Sequence, residues 1–402
     1  MKVDRLLLLN NLAKKREKEG YDVINGSIGM MYFDDAKLPK NTFIRNTLSK
    51  HINDNDLTYS SISGEDEFRT LFFNWFFKDT FNKENIRTLT TQGGTGAIFC
   101  STVAENLIHK NNIYLYPDVG WPNYFGIASS YELDYIEYPI FNDNLEFNIT
   151  GILELFRKLL KENRHISFVI NDPCHNPSGY SMNNKEWDLL VNFILSNCNT
   201  SNFALIVDCA YLDFADKDIR EYAVKSIKRI SEVTTVHLCL SSSKTFGFYG
   251  LRCGELVSIS PDTKLLDELR EKTIKVARGA WSTPNHMAIN TLIEVLSSFK
   301  GREEVTNEIK ECNKIIKERA KIVLTDSDKY NLKHFPYSKG FFITFVIDNA
   351  IEVSDELVKE DIYLSPISEK HLRIALCSVP TYKLIGLMKK VKEVSDRVNK
   401  KE

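Results

Sequence analysis

Thr235–Gly254 reads TVHLCLSSSKTFGFYGLRCG. Its first seven residues are an almost unbroken apolar run, too short for a globular helix, which is the pattern of a strand buried on both faces. Four further runs share it: Asn112–Pro117 (NIYLYP), His165–Asn171 (HISFVIN), Phe203–Asp208 (FALIVD) and Cys253–Ile259 (CGELVSI). Helix-length stretches lie between several of them, at Gly94–Lys110, Ile152–Asn163 and Lys185–Asn197. Strands alternating with helices make an α/β fold with a mostly parallel sheet covered by helices. In such sheets ligands collect at the carboxyl ends of strands, so the residues just after each run are the ones to inspect.

Lys244 follows the TVHLCLS run inside a run of serines, ahead of Gly247, Gly250 and Arg252. A lysine there can form a Schiff base with a carbonyl compound if its amine is partly desolvated or near other cations. A lone loop lysine is ordinarily only solvated. Here Ser241, Ser243 and Arg252 shift that balance, because hydroxyls and a guanidinium are what a bound phosphate needs, and the glycines permit close backbone approach. Upstream, Thr91–Ala97 (TQGGTGA) opens the next helix, so the N–H groups around Gly94 and Thr95 form an anion site. The same residues also make a plain turn, and they carry neither a P-loop lysine nor a dinucleotide spacing. Asp208 ends FALIVD, with Tyr211 three residues on. A carboxylate in that place either caps a helix or pairs with a protonated ring nitrogen. Asn176 stands before Pro177 in NDPCHNPSG, 171–179, where it starts a turn after another strand.

In this order the four segments resemble the aspartate aminotransferase family of fold type I enzymes, which use pyridoxal 5'-phosphate, and the resemblance runs from Ile24 to Lys390. It implies a seven-stranded sheet domain and a smaller α/β domain. It also implies that Lys244 carries the cofactor and moves the substrate's Cα proton, that Asp208 binds the pyridine nitrogen, and that Tyr211 and Asn176 bond the phenolate oxygen. Arg252, Ser241, Ser243, Thr95 and the Gly94 backbone would hold the phosphate. Gly120–Tyr124 (GWPNY) resembles the segment that lays a tryptophan, here Trp121, over the cofactor ring. Thr58–Gly64 (TYSSISG) resembles the segment whose tyrosine, here Tyr59, reaches the neighbouring subunit's phosphate, which implies a homodimer with shared active sites. Gly29, in INGSIGMMY, resembles the glycine that passes close to the substrate, and Arg373, in LRIA, the arginine that grips its α-carboxylate. Arg278, in ARGAWSTPNH, resembles the second arginine that aspartate-specific members use for the distal carboxylate. Two positions depart from the pattern: Tyr124 and Asn171 stand where that subfamily usually has histidines, both in the shell around Asp208, where they would tune its basicity.

The resemblance therefore implies an aminotransferase that moves the amino group of an aspartate-like or aromatic L-amino acid to a 2-oxo acid such as 2-oxoglutarate. A C–S lyase, or another enzyme of this fold and cofactor, is the alternative. A regulator with an aminotransferase-like domain would need a DNA-binding domain ahead of Ile24, where the chain leaves no room. Composition agrees: 402 residues carry 52 Lys+Arg against 54 Asp+Glu, a net charge of −2, without the basic surplus of a nucleic-acid binder. Leu6–Leu9, the one apolar run near the start, is far too short to span a membrane. Eight cysteines without a CxxC pair read as buried thiols in a reducing cytosol, and eight histidines show no HExxH, so no metal is expected. The texture changes after residue 285 to long charged helices, Ala288–Lys300 and Val305–Ile322, then strand candidates at Phe341–Ile347 and Leu372–Leu376. Residues 46–287 are thus expected to form the large cofactor-binding domain, and 1–45 with 288–402 the small one.

Overall fold

The computed structural model describes residues 5–39 and 41–400. Residues 1–4, 40, 401 and 402, all in the expected small domain, lie outside the described residues. In chain order the strands are β1 Ile24–Gly26, β2 Ile86–Thr91, β3 Asn112–Pro117, β4 Tyr135–Tyr138, β5 His165–Ile170, β6 Phe203–Asp208, β7 Thr235–Ser241, β8 Gly254–Ile259, β9 Phe342–Val346, β10 Ile362–Ser368 and β11 His371–Ala375. The described residues form two compact units, one from 41–173 and 182–307, the other from 5–39, 174–181 and 308–400.

The larger unit holds the seven-stranded sheet, in the order β2-β8-β7-β6-β5-β3-β4. The five expected strands are all present and, apart from β8, pair in parallel. β8 runs antiparallel to both β7 and β2. The return from Ser241 to Gly254 is a compact loop rather than a crossover helix, and a short return of that kind reverses the chain. Every residue of β3, β5, β6, β7 and β8 is buried, as their continuous apolarity requires. One face of the sheet gives Tyr114, Val169, Ile206, Cys239 and Leu256 to a core with Ala97, Tyr124, Ile127 and Ala277. The opposite face packs Phe168 and Phe203 on Phe156, at ring distances of 4.9 and 5.3 Å. Each such ring contributes about 2–3 kcal/mol on burial.

The smaller unit holds a four-stranded sheet, β1-β10-β11-β9, with only β1 and β10 parallel. Its core joins Ile343, Phe345, Leu364, Leu372 and Ile374 to Val353, Leu357, Met388 and Val391. The units divide the chain differently from the expected boundaries. Helix His286–Ser297 packs on helices Thr42–Lys50 and Asp66–Phe77 of the larger unit, where Lys50 Nζ lies 3.1 Å from Glu294. Conversely, Cys174–Ser181 joins the smaller unit, because Thr344 Oγ1 donates to the Pro177 carbonyl (2.7 Å) and Ser338 N–H to the Gly179 carbonyl (2.9 Å). All eight cysteines are buried and outside any disulfide. Among the described residues no helix is long and apolar enough to cross a membrane.

Candidate active site

In the larger unit the sequence-selected residues meet at the carboxyl ends of β6 and β7 and at the start of helix Gly93–Ile108. Gly93 has φ +68°, and a Cβ on it would come within 2.7 Å of Arg252 Nη2. A Cβ on Gly254 would come within 2.7 Å of the Gly93 carbonyl carbon, and one on Gly94 within 3.2 Å of Ser241 Cβ. The glycines are therefore what let the helix start, Arg252 and the serines close on one another. Arg252, itself at φ +50°, donates from Nη1 to Ser243 Oγ (3.1 Å) and to the Tyr249 carbonyl (3.0 Å). Burial lowers its pKa from the ordinary guanidinium value. Its partners are neutral, and the N-terminus of a sixteen-residue helix that begins Gly-Gly-Thr stands beside it. A half-buried cation at a helix N-terminus that no side chain caps is a cradle for a multiply charged anion. Thr95 lies in the first turn of that helix.

Lys244 sits in the one-turn helix Ser242–Thr245 that directly follows β7. Ser241 caps it by accepting from Ser243 N–H (3.2 Å), and Ser242 Oγ donates to the Cys253 carbonyl (2.6 Å). Lys244 Nζ lies 4.7 Å from the ring centre of Tyr249 and 5.7 Å from that of Tyr211. Asp208, the last residue of β6, is buried, and its carboxylate accepts from Tyr124 Oη (2.7 Å) and Ala210 N–H (3.1 Å). Asn171 Nδ2 donates to the Asp208 carbonyl at 2.9 Å. Burial raises the Asp208 pKa, and the Tyr124 hydroxyl, the Ala210 amide and the Lys244 charge offset that only in part. Burial and the Asp208 charge keep Tyr124 far above the usual phenol range, so it serves as a neutral donor. Trp121 stands edge-on to Tyr124 at 5.4 Å.

In the smaller unit, Arg373 on β11 is only 2% exposed. Its Nη1 donates to Asn176 Oδ1 (3.2 Å), Nη2 donates to the Ser27 carbonyl, and Cζ lies 4.5 Å above the Phe342 ring. Gly29 follows Ser27 by two residues in the loop after β1.

Residues 21–390 match the model of the family "Aminotransferase class I and II". The chain belongs to that family. It is 23% identical to the mitochondrial aspartate aminotransferase of Saccharomyces cerevisiae over 62% of this chain and 61% of that one. It is 25% identical to the aspartate aminotransferase of Escherichia coli over 73% of each. The match thus spans about three fifths to three quarters of these relatives' lengths. Among solved structures it is similar to an aminotransferase from Anaerococcus prevotii, with TM-score 0.88, 28% identity and coverage of 98% of this chain and 97% of that one. The cytoplasmic aspartate aminotransferase of S. cerevisiae shares the fold, with TM-score 0.83, 19% identity and coverage of 98% and 97%.

In this member of the class I and II aminotransferase family, two of the sequence-selected residues are exposed. Tyr59 is 88% exposed. Arg278 is exposed near the end of helix Thr263–Ala280 and donates to Ser282 Oγ at 2.8 Å. Sequence reasoning passed over Tyr249, which lies closer to Lys244 Nζ than Tyr211 does, because an aromatic in a glycine-rich loop carries no signal of its own. It also passed over a histidine cluster outside the site. Glu105, His109 and His165 bring ligand-type atoms within 4.8 Å of one another, although no metal spacing is visible in the sequence. The rings of His109 and His165 stack at 3.6 Å and 7°. Parallel stacked imidazoles do not aim their in-plane lone pairs at one ion, so the cluster reads as a hydrogen-bonded network.

Proposed function

We propose that this protein is a pyridoxal 5'-phosphate-dependent aminotransferase that transfers the amino group of an aspartate-like or aromatic L-amino acid to a 2-oxo acid such as 2-oxoglutarate. One observation carries the reading. The larger unit holds a half-buried cation, Arg252, and a buried carboxylate, Asp208, each with neutral hydrogen-bond partners, on segments that also present Lys244. A ligand with a phosphate at one end and a protonatable ring nitrogen at the other supplies both missing counter-charges. The Burkholderia pseudomallei aromatic-amino-acid aminotransferase, which shares the fold at 19% identity, was solved covalently bound to pyridoxal phosphate.

In this reading Arg252, Ser241, Ser243, Thr95 and the Gly94 N–H bind the phosphate, and Asp208 keeps the ring nitrogen protonated. Tyr211 and Asn176 bond the ring's phenolate oxygen, and Trp121 covers the ring face. When bound, the cofactor supplies an electron-withdrawing ring that weakens bonds at the substrate's Cα. Lys244 holds the cofactor and moves the Cα proton as general base and acid. Arg373 grips the α-carboxylate with its guanidinium fork beside Gly29, and Arg278 reaches a distal carboxylate across a homodimer in which Tyr59 completes the neighbour's phosphate site. The working enzyme is then a cytoplasmic homodimer with shared sites.

A donor panel of aspartate, phenylalanine, tyrosine and alanine with 2-oxoglutarate tests this, read as oxo-acid product. Lys244→Ala is expected to abolish turnover; full turnover in that variant ends the proposal. Ammonia and pyruvate released from cysteine conjugates without an acceptor would indicate a lyase instead. Loss of aspartate but not phenylalanine turnover in Arg278→Ala supports its distal role.

A further inference from the structure

The residues above explain what holds a ligand but not what holds Lys244. Its helix, Ser242–Thr245, is a single turn, and one turn has almost no stability of its own. The N-terminal end is tied to the strand that follows: Ser242 N–H and Oγ both donate to the Cys253 carbonyl, at 3.0 and 2.6 Å. At the other end Thr245 Oγ1 donates to Asp213 Oδ2 at 2.8 Å. Asp213 stands two residues after Tyr211, in the short 3-10 turn Leu212–Phe214. The same Oδ2 accepts from Trp75 Nε1 (2.9 Å), while Oδ1 accepts from Arg220 Nη1 (2.6 Å). Its side chain is 4% exposed. Phe246, next along the chain, packs on Trp75 at 5.5 Å and on Phe72 at 5.8 Å.

We infer that Asp213 is a positioning residue for the reaction. It ties the segment that carries Asp208 and Tyr211 to the turn that carries Lys244, and so sets where the amine stands relative to both. The inference rests on the proposed function for its meaning but not for its geometry. A carboxylate suits the task better than an amide, because all three groups facing it are donors and Asp213 is an acceptor at both oxygens. Arg220 keeps the charge paired, and it is anchored in turn by donating Nη2 to the Phe76 carbonyl at 2.9 Å. A buried, fully bonded acid is rigid, and misplacing a reacting group by about 1 Å costs up to about 100-fold in rate.

The test compares Asp213→Asn and Thr245→Val with Thr245→Ser, which keeps the hydroxyl. Trp75→Phe serves as control, because it removes a donor from the same oxygen but leaves the lysine turn attached. The first readout is the rate at which trinitrobenzenesulfonate labels Lys244 in the cofactor-free protein, mapped by peptide mass. The second is the split between kcat and KM in the loaded enzyme. Asp213→Asn and Thr245→Val are expected to change the labelling rate at least about threefold and to lower kcat about tenfold with KM within about twofold, while Thr245→Ser and Trp75→Phe label as the wild type does. If Asp213→Asn and Thr245→Val lose only thermal stability, with labelling and kcat unchanged, the residue is merely structural and the inference is overturned. If the wild type turns over no amino donor, the functional reading fails by itself and labelling still decides the role of Asp213.

Discussion

Glu105 and Asp208 are both buried acids of the larger unit, and they are held in opposite ways. Glu105 faces two rings: Oε1 lies 2.7 Å from His237 Nε2 and Oε2 lies 3.0 Å from His165 Nε2. His165 has an acceptor on each side, Glu105 at Nε2 and the Ser201 carbonyl 3.1 Å from Nδ1. Burial alone would push Glu105 up, but the two histidines outweigh it and leave the carboxyl well below its usual range. Asp208 has a phenol and a backbone amide as partners, both neutral, and burial keeps it above its usual range. One carboxylate is complete within the protein. The other has its strong acceptor unmatched by a cation in hydrogen-bond reach, as a site for a protonated ligand requires. Burial is shared, so it is the partners, two histidines at Glu105 and a phenol with a backbone amide at Asp208, that separate the two acids.

Neutralising each acid should therefore give opposite results. Asp208→Asn is expected to lower turnover by about 100-fold or more, since an amide cannot stabilise a protonated ring nitrogen as an anion does. In the cofactor-free protein the same change should leave stability unaltered or raise it by about 1 kcal/mol, because it removes a buried charge without a cation. Steady-state kinetics with cofactor and urea unfolding without it check the two halves, and a destabilised Asp208→Asn would break the comparison. Glu105→Gln is expected to cost about 3–5 kcal/mol of stability by leaving a buried ion pair half made, with turnover per folded molecule within about twofold. The sign with pH follows from the lowered carboxyl. Its stabilisation is fully present above the unfolded glutamate's pKa of about 4.3 and is lost as pH falls toward the folded value. Wild type should then lose stability more steeply than Glu105→Gln in urea titrations carried below pH of about 4.

The two acids also differ in how far they could be read before the structure. Asp208 ends a continuous apolar run, and β3, β5, β6, β7 and β8 were legible for the same reason: strands buried on both faces leave unbroken apolar stretches. β4 was not, because Tyr135–Tyr138 is an edge strand with exposed positions and one buried residue, and β1 has only three residues. Glu105 lay hidden in a helix whose meaning depends on rings 60 and 132 positions away. Asp213 was hidden in the same way, since two of its partners, Trp75 and Thr245, lie 138 and 32 positions away. The division into units also rests on tertiary contacts: nothing within Cys174–Ser181 signals that Thr344 and Ser338 will take it into the smaller unit.

The finest distinction between the two acids rests on Tyr124. It donates one neutral hydrogen bond to Asp208, where each histidine at Glu105 offers a donor that can also carry charge. Removing that donor in Tyr124→Phe leaves burial in place, so the Asp208 carboxyl should rise further above its usual range. Cofactor binding that needs the ionised acid is present above the carboxyl's pKa and lost as pH falls through it, so the midpoint of affinity against pH should move to higher pH in the variant. The loss of affinity at the wild-type midpoint should be about tenfold, the scale of one hydrogen bond to a charged group. Fluorescence titration of the cofactor-free protein with pyridoxal 5'-phosphate across the pH range measures both quantities. An unmoved midpoint would mean that the Ala210 amide and the Lys244 charge, rather than the phenol, hold Asp208 in its ionised form. The contrast with Glu105 would then lie in the nearby lysine and not in the phenol at position 124.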